Sequence, residues 1–523
     1  MVTQKNISVG KEAGSTLSFL YVGQIFGALI TVATFIYVTR FLGPSNYGIY
    51  VFAIGFAALI SAFGNFGLGS YMTKNLSKFL FEKNSKGIND TISASYVLLF
   101  LIAAIFTIIA VLLSRFTPSL FSSLNISSLT LALAASIIFF QMIQNVNVHA
   151  LVGFSSGKPA ATIPVLVDLI QLIGIVSFLY LGFGVNGAIF GLLIGNIIGS
   201  ILSVYFMLSK AKRLHNFKFS LPGKKLLSDA LNFSVPLAAN NVINTSIQNF
   251  SILFLGLFAT TFIIGNYGAA IKGLNFASIS YGTMSLIMLP LFAKINSMKK
   301  RDKGKDYTDI LLYALIITLP FIIFVSAMAK PAIYLLISGN YNSAPLYLTL
   351  ITFGMALNMF SYYSGSILAS KNLTKKLLKY NALSAIIQFI LMLILTPYIG
   401  VLGVVIPVFI IGGLLNSILV GIAMKNNISA KINYRRILPV FITSILLYIP
   451  LSAALLLPNI ILELVAGFLL LLIFYPILLN ILNVVNKDDI SKIRAIFPNI
   501  PLFKKLFNVI LDYTELIYGT LNE

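Results

Sequence analysis

Runs of 20 or more predominantly apolar residues, separated by short polar turns, follow one another from residue 16 to residue 483. Each is long enough to cross about 30 Å of hydrocarbon as an α-helix rising 1.5 Å per residue. Inside a bilayer the backbone must satisfy its own hydrogen bonds, so the helix is the form open to such runs. The pattern predicts fourteen spans, at 16–41, 47–72, 88–113, 128–153, 160–182, 186–209, 229–258, 263–290, 308–329, 345–369, 379–398, 401–424, 437–457 and 459–483. The fold class expected is therefore an all-α integral membrane protein of about 14 transmembrane helices.

The pattern also repeats. Thr39 to Lys74 leaves one apolar run, turns at Gly43-Pro44-Ser45-Asn46-Tyr47-Gly48, enters a second and ends in basic residues. About 220 positions on, Asn266-Tyr267-Gly268 repeats the turn and Lys294 repeats Lys74. Gly184-Val185-Asn186-Gly187 returns as Gly400-Val401-Leu402-Gly403, and Ser200-Ile201-Leu202 as Ser417-Ile418-Leu419. A period of this kind marks a duplicated unit. Six spans per copy is an even number, so both copies enter the membrane the same way up, as two bundles related by a pseudo-two-fold along the membrane normal. The expected organisation is a segment 1–15, a six-helix bundle 16–209, a basic linker 210–228, a second six-helix bundle 229–424, two extra helices within 425–483 and an amphipathic tail 484–523. Within the tail, Leu502, Leu506, Val509, Ile510, Tyr513, Leu516 and Ile517 fall at helical spacing, as for a helix lying on the membrane surface or on the protein's own face.

Composition agrees: hydrophobic residues make up 58% of the chain and charged residues 10%, with a mean hydropathy of +0.95. No cysteine is present, which excludes disulfides, thiol nucleophiles and thiolate metal sites. His149 and His215 are the two histidines, too few for a His-rich metal centre.

The net charge of +22 would suggest nucleic acid in a soluble chain, but its placement points elsewhere. Of the 36 Lys and Arg residues, 32 fall in the N-terminus, the even-numbered loops and the tail. Arg40, Arg115 and Lys330 lie on the opposite side, and Lys272 lies inside a span. The positive-inside rule then puts both termini in the cytoplasm of a plasma-membrane protein. The excess of bases serves topology and anionic inner-leaflet lipid, not nucleic acid.

Polar groups at bilayer depth are costly, a charge about 2.5 to 3.5 kcal/mol, and are the first place to look for function. Span seven carries Asn241, Asn244, Thr245 and Gln248 on one face, which fits the wall of a wet cavity or amide bonds between helices. Span four carries Gln141, Gln144, Asn145 and His149, and span ten Asn358, Tyr362, Tyr363 and Ser366. Asp168 lies about 12 Å into span five at 1.5 Å per residue, either an ion-coupling carboxylate or one neutralised by a neighbour. Lys272 has no acidic residue near it in span eight, so it meets something anionic or wet or snorkels outward.

Arg40, Leu42-Gly43-Pro44, Tyr47-Gly48 and Asn65-Phe66-Gly67-Leu68, followed by Val235-Pro236-Leu237 and Leu255-Gly256, resemble the polysaccharide transporter or oligosaccharide flippase family of the multidrug/oligosaccharidyl-lipid/polysaccharide exporter superfamily. Asn65 and Ser251 stand where that family's pattern has Asp, which removes any role resting on charge there. The resemblance covers about residues 15 to 425. It implies a transporter rather than an enzyme, without cofactor or metal. Acting as a monomer, it would move an undecaprenyl or dolichyl phosphate- or pyrophosphate-linked glycan from the inner to the outer leaflet by alternating access. Lys272 and Arg40 would meet the phosphate, while Asn241, Asn244, Thr245, Gln248, Gln24 and Asn65 would line the cavity and Asp168 would couple an ion.

Two alternatives stand beside this reading. An ion-coupled multidrug antiporter of the same superfamily would favour acidic cavity residues, of which the chain offers Asp168. A non-transporting membrane component of a polysaccharide synthesis complex leaves the buried amides unexplained. A membrane glycosyltransferase or polymerase would need catalytic residues on sizeable outer loops, and the spans leave none.

Overall fold

In a computed structural model every long apolar run is helical, as backbone satisfaction in lipid requires. The structure describes residues 2–64, 67–215, 218–298, 302–371, 373–496, 512–515 and 517; within these, the side chains of 2–18, of 236–246 and 248, and of scattered further positions are not described. The chain divides into two compact units, Met1–Gly265 and Asn266–Glu523.

The first unit opens with α1 (Val2–Gly64), which is two helices joined at a kink. Gly43 takes φ 67°, a conformation that strains residues with a Cβ, and Pro44 follows it, so helical geometry breaks between the first two spans. Tyr47 of the turn is buried, edge-on to Phe35 and stacked on Tyr50. The second span ends earlier than its hydrophobicity suggests. Gly67, at φ 67°, starts a separate amphipathic helix, α2 (Leu68–Phe81), which buries Leu68, Tyr71, Met72 and Leu76 and exposes Lys74 and Lys78.

Next come α3 (Ser85–Leu120), α4 (Ser128–Gly153), α5 (Gly157–Tyr180), α6 (Gly184–His215) and α7 (Lys224–Leu255). Asn84 and Ser127 cap α3 and α4 through their side-chain oxygens. The α6 helix carries glycine every fourth residue at 187, 191, 195 and 199, so one face is bare backbone. A Cβ on Gly191 would stand 2.3 Å from the Ile175 nitrogen, and one on Gly195 2.3 Å from Gln171 Cγ. The close α5–α6 contact rests on those missing side chains.

The second unit holds most of α8 (Thr261–Ser297), then α9 (Lys303–Ala327), α10 (Ala329–Leu336), α11 (Ala344–Ser370), α12 (Thr374–Ile399) and α13 (Leu402–Val405). A π-helical turn at Ile406–Ile411 leads into α14 (Gly412–Asn427), with Pro407 breaking the regular ladder. Gly354 of α11 packs against this turn so closely that a Cβ would stand 2.4 Å from the Phe409 carbonyl carbon. The helix α9 is the centre of this unit's core, burying Tyr307, Leu311, Leu312, Leu315, Leu319 and Ile322.

Outside the repeat, α15 (Tyr434–Leu446), α16 (Tyr448–Ala453) and α17 (Ile460–Ile481) pack around that core, Tyr475 donating 2.8 Å to the Ile316 carbonyl. A last helix, α18 (Lys487–Ile496), follows. The tail helix expected after Pro501 lies mostly outside the described residues; in its described part Thr514 is buried and its carbonyl accepts from Asn480, so this stretch packs on the protein.

Eleven described helices are long and apolar enough to span. The first of them, Val22–Gly64, carries two predicted spans across its kink, and α7 and α8 supply the other two. The architecture is thus consistent with fourteen transmembrane helices. Local geometry repeats too. Gly184 and Gly400 sit at equivalent turns with φ 54° and 57°, and Tyr47 and Tyr267 are both buried.

Candidate substrate site

The intramembrane carboxylate is set by the packing of α1 on α5. Small residues bring the helices together: a Cβ on Gly23 would stand 3.0 Å from the Ala161 Cβ. One turn along α1, a Cβ on Gly27 would stand 3.0 Å from Asp168 Oδ2. Asp168 is half-buried and has no ion pair or hydrogen bond among the described residues. Gln24, three positions before Gly27 on α1, is exposed. A carboxylate held against bare backbone has room for a proton or a monovalent ion.

Lys272 is exposed on α8, flanked by buried Ala269, Ala270 and Gly273, with exposed Asn275 one turn on. It has no carboxylate partner among the described residues. Arg40 is exposed on α1, one turn before the Gly43 kink. The two bases fall in different compact units.

The amides Asn241, Asn244, Thr245 and Gln248 are on the helical backbone of α7, but their side chains lie outside the described residues, as does Asn65. What is described of α7 near them is its C-terminal end. Ser251, standing where the family pattern has Asp, is buried and donates 2.6 Å to the Ile247 carbonyl, a bond that needs no charge. Gly256 lets Phe52 and Phe121 approach to 2.4 and 2.9 Å of where its Cβ would be.

One charged cluster escaped the sequence reading. Arg436, at the start of α15, bonds Asp309 Oδ1 and Asp489 Oδ1 at 2.5 Å each. Lys492 adds 3.2 Å to Asp309 Oδ2, and Tyr313 donates 2.7 Å to Asp489 Oδ1. Asp309 and Asp489 are nearly fully buried, so this network ties α18 to α9 and is structural in kind. The residues are 127 and 53 positions apart, beyond any local spacing rule. Elsewhere at helix ends, Lys371 follows α11; its ammonium is pushed below the usual lysine range by burial and then by the charge of Lys303. No group of three or more metal-ligating side chains occurs among the described residues.

A family model described as "Polysaccharide biosynthesis protein" matches residues 14–296. No curated protein sequence matches the chain. Among solved structures, the chain is similar to the lipid II flippase MurJ in an inward closed conformation, with a TM-score of 0.71 at 17% identity over 89% of this chain and 99% of that one. It is also similar to an inward-facing multidrug resistance MATE family transporter of the MOP superfamily, with a TM-score of 0.63 at 18% identity over 79% and 98%. A MOP superfamily transporter from Pyrococcus furiosus, described as having a binding pocket of reversed polarity, gives 0.52 at 17% over 80% and 96%. The likeness establishes that the chain has the fold of these structures, and its eleven described helices long and apolar enough to span fit a multi-pass membrane protein.

Proposed function

Because the chain belongs to the polysaccharide biosynthesis protein family, we propose that it is a flippase, a transporter and not an enzyme, for a glycan linked to a polyprenyl phosphate or pyrophosphate. It would work as a monomer in the plasma membrane with both termini in the cytoplasm, carrying the glycan from the inner to the outer leaflet by alternating access. The physical problem is the headgroup: sugar and phosphate cannot cross about 30 Å of hydrocarbon unaided, whereas the polyprenyl tail never leaves it. A polar route for the head alongside open lipid for the tail meets that need.

The observation that carries the reading is Lys272, an exposed ammonium at bilayer depth with no carboxylate partner among the described residues. Such a charge calls for an anion or water, and the substrate's phosphate is both available and strongly attracted. Arg40 is assigned a second phosphate contact, and Asn241, Asn244, Thr245, Gln248, Gln24 and Asn65 the cavity wall. In reconstituted vesicles, Lys272→Arg should keep most flipping of a polyprenyl diphosphate-linked oligosaccharide and Lys272→Gln should remove most of it. Wild-type flipping by the Gln variant would reject the phosphate site.

Asp168 supports a second reading, an ion-coupled multidrug antiporter, since a carboxylate suits both a cationic drug and a coupling ion. Efflux of a cationic dye driven by a proton or sodium gradient, together with no flipping of the lipid-linked glycan, would favour that alternative.

A further inference from the structure

The outer surfaces of this protein are of two kinds. On α3, between Phe100 and Phe116, the exposed positions are Phe100, Leu101, Ile105, Ile108, Ile109, Leu112, Leu113, Arg115 and Phe116, apolar but for the arginine near the helix end. On α17 they include Ile461, Val465, Phe468, Leu469 and Ile473. These are faces made for lipid.

In α4 the pattern inverts. Between Leu131 and Gly153 three residues are exposed, Gln141, Asn145 and His149, and none is apolar. Spacing by four aligns them on one face, about 6 Å apart along the axis. Gln141 and Asn145 make no side-chain hydrogen bond among the described residues. Met142, Ile143, Val146 and Asn147 between them are buried and the flanking Phe140, Gln144 and Val148 half-buried, so the stripe is the most open side of this stretch of the helix. Unpaired amides cannot face acyl chains without losing their hydrogen bonds. This side of α4 therefore faces water or a polar ligand.

His149 is held in place. Thr73 Oγ1 donates 2.8 Å to its carbonyl, and its ring rests on Gly69, where a Cβ would stand 2.7 Å from Cδ2. The second unit carries the same pattern at an offset of 217: Asn358, Tyr362 and Ser366 on α11. There Asn358 Oδ1 is buried without a partner among the described residues, and Tyr362 is exposed with its ring edge-on to Tyr281.

Taking the flippase reading as its premise, we propose that Gln141, Asn145 and His149 of α4 form a sugar-binding wall that contacts the glycan of the lipid-linked substrate. Glycan hydroxyls both donate and accept, and an amide supplies one acceptor and two donors in a fixed plane, so a ladder of amides matches successive hydroxyls. No carboxylate lies on this face, and the nearest charge along α2 is the exposed Lys74, one residue after Thr73. The wall thus suits a neutral or acidic glycan and offers nothing to a cationic drug.

The test compares two probes in proteoliposomes: a fluorescent polyprenyl diphosphate carrying a disaccharide, and the same lipid phosphate without sugar. Asn145→Leu should slow the sugar-bearing probe at least tenfold and the sugar-free one less than twofold, with Asn145→Gln restoring most of the loss and all variants melting at the wild-type temperature. An Asn145→Leu variant that moves the sugar-bearing probe at the wild-type rate, or slows both probes equally, overturns the sugar wall while the flippase reading stands. A wild-type protein that moves neither probe overturns the flippase reading itself. Since the chain has no cysteine, Asn145→Cys gives a readout free of transport. It should react with a small aqueous thiol reagent, and failure to react would show that the stripe is not wet.

Discussion

Gly48 and Gly265 meet backbone to backbone: a Cβ on Gly48 would stand 1.8 Å from the Thr261 carbonyl oxygen, and one on Gly265 1.9 Å from the Pro44 carbonyl oxygen. The turn after the Gly43 kink and the first turn of α8 therefore touch with no side chain between them. Even a methyl group forces the helices apart. Gly48→Ala should lower the melting midpoint in detergent clearly, by overpacking worth about 1–3 kcal/mol or more. Gly223, which has open space around it and an ordinary φ, is the control, and Gly223→Ala should leave the midpoint within error. Equal midpoints for the two variants would count against the contact.

The distribution of 32 of 36 basic residues predicts which loops face outward. Ser119→Cys and Asn340→Cys, both at exposed positions, should react with an impermeant thiol reagent added to intact cells. Asn340 is a better reporter than Ser343, which is half-buried with its amide bonded to Asn266 Oδ1. Protection of both cysteines in intact cells but not in inverted vesicles would reverse the assigned orientation.

Asp168 is expected to couple transport to an ion gradient. Asp168→Asn should remove the stimulation given by an imposed proton or sodium gradient and retain the gradient-independent rate. Replacing Gly27 by Ala, which presses a methyl onto Asp168 Oδ2, should weaken the same stimulation. Undiminished stimulation in Asp168→Asn would remove this residue from the coupling step.

The Arg436 network predicts a stability effect remote from any substrate. Arg436→Ala leaves Asp309 and Asp489 buried without their main partner, a loss of about 3 kcal/mol for such pairs, softened here by Lys492. The melting midpoint should fall, and adding Asp489→Asn should recover part of the loss because one uncompensated charge is then gone. A double variant that melts lower than Arg436→Ala would contradict the charge argument.

Much of this protein is decided along the chain. Hydrophobic runs longer than a bilayer is thick, with basic residues on alternate loops, determine helix, span count and expected sidedness without reference to distant residues. The duplicated turns mark the repeat for the same local reason, and Gly184 and Gly400 take the same φ because the same short turn demands it. Helix ends are less readable: the second span stops at Gly64 because Gly67 starts a new helix, although hydrophobicity continues beyond both. What tertiary structure alone decided is which side of each helix meets lipid, protein or water. The polar stripe of α4 is legible in the sequence, but its being left open is not: α3 exposes leucines and isoleucines, whereas between Leu131 and Gly153 α4 exposes Gln141, Asn145 and His149, because packing with α1, α2, α3 and α6 takes up most of its apolar side chains. Likewise Asp168 against Gly27, and Arg436 between Asp309 and Asp489, join residues too far apart in sequence for any periodicity to reveal. Hydrophobicity acts on each segment by itself, whereas the position of a polar group depends on which neighbours the fold brings to it.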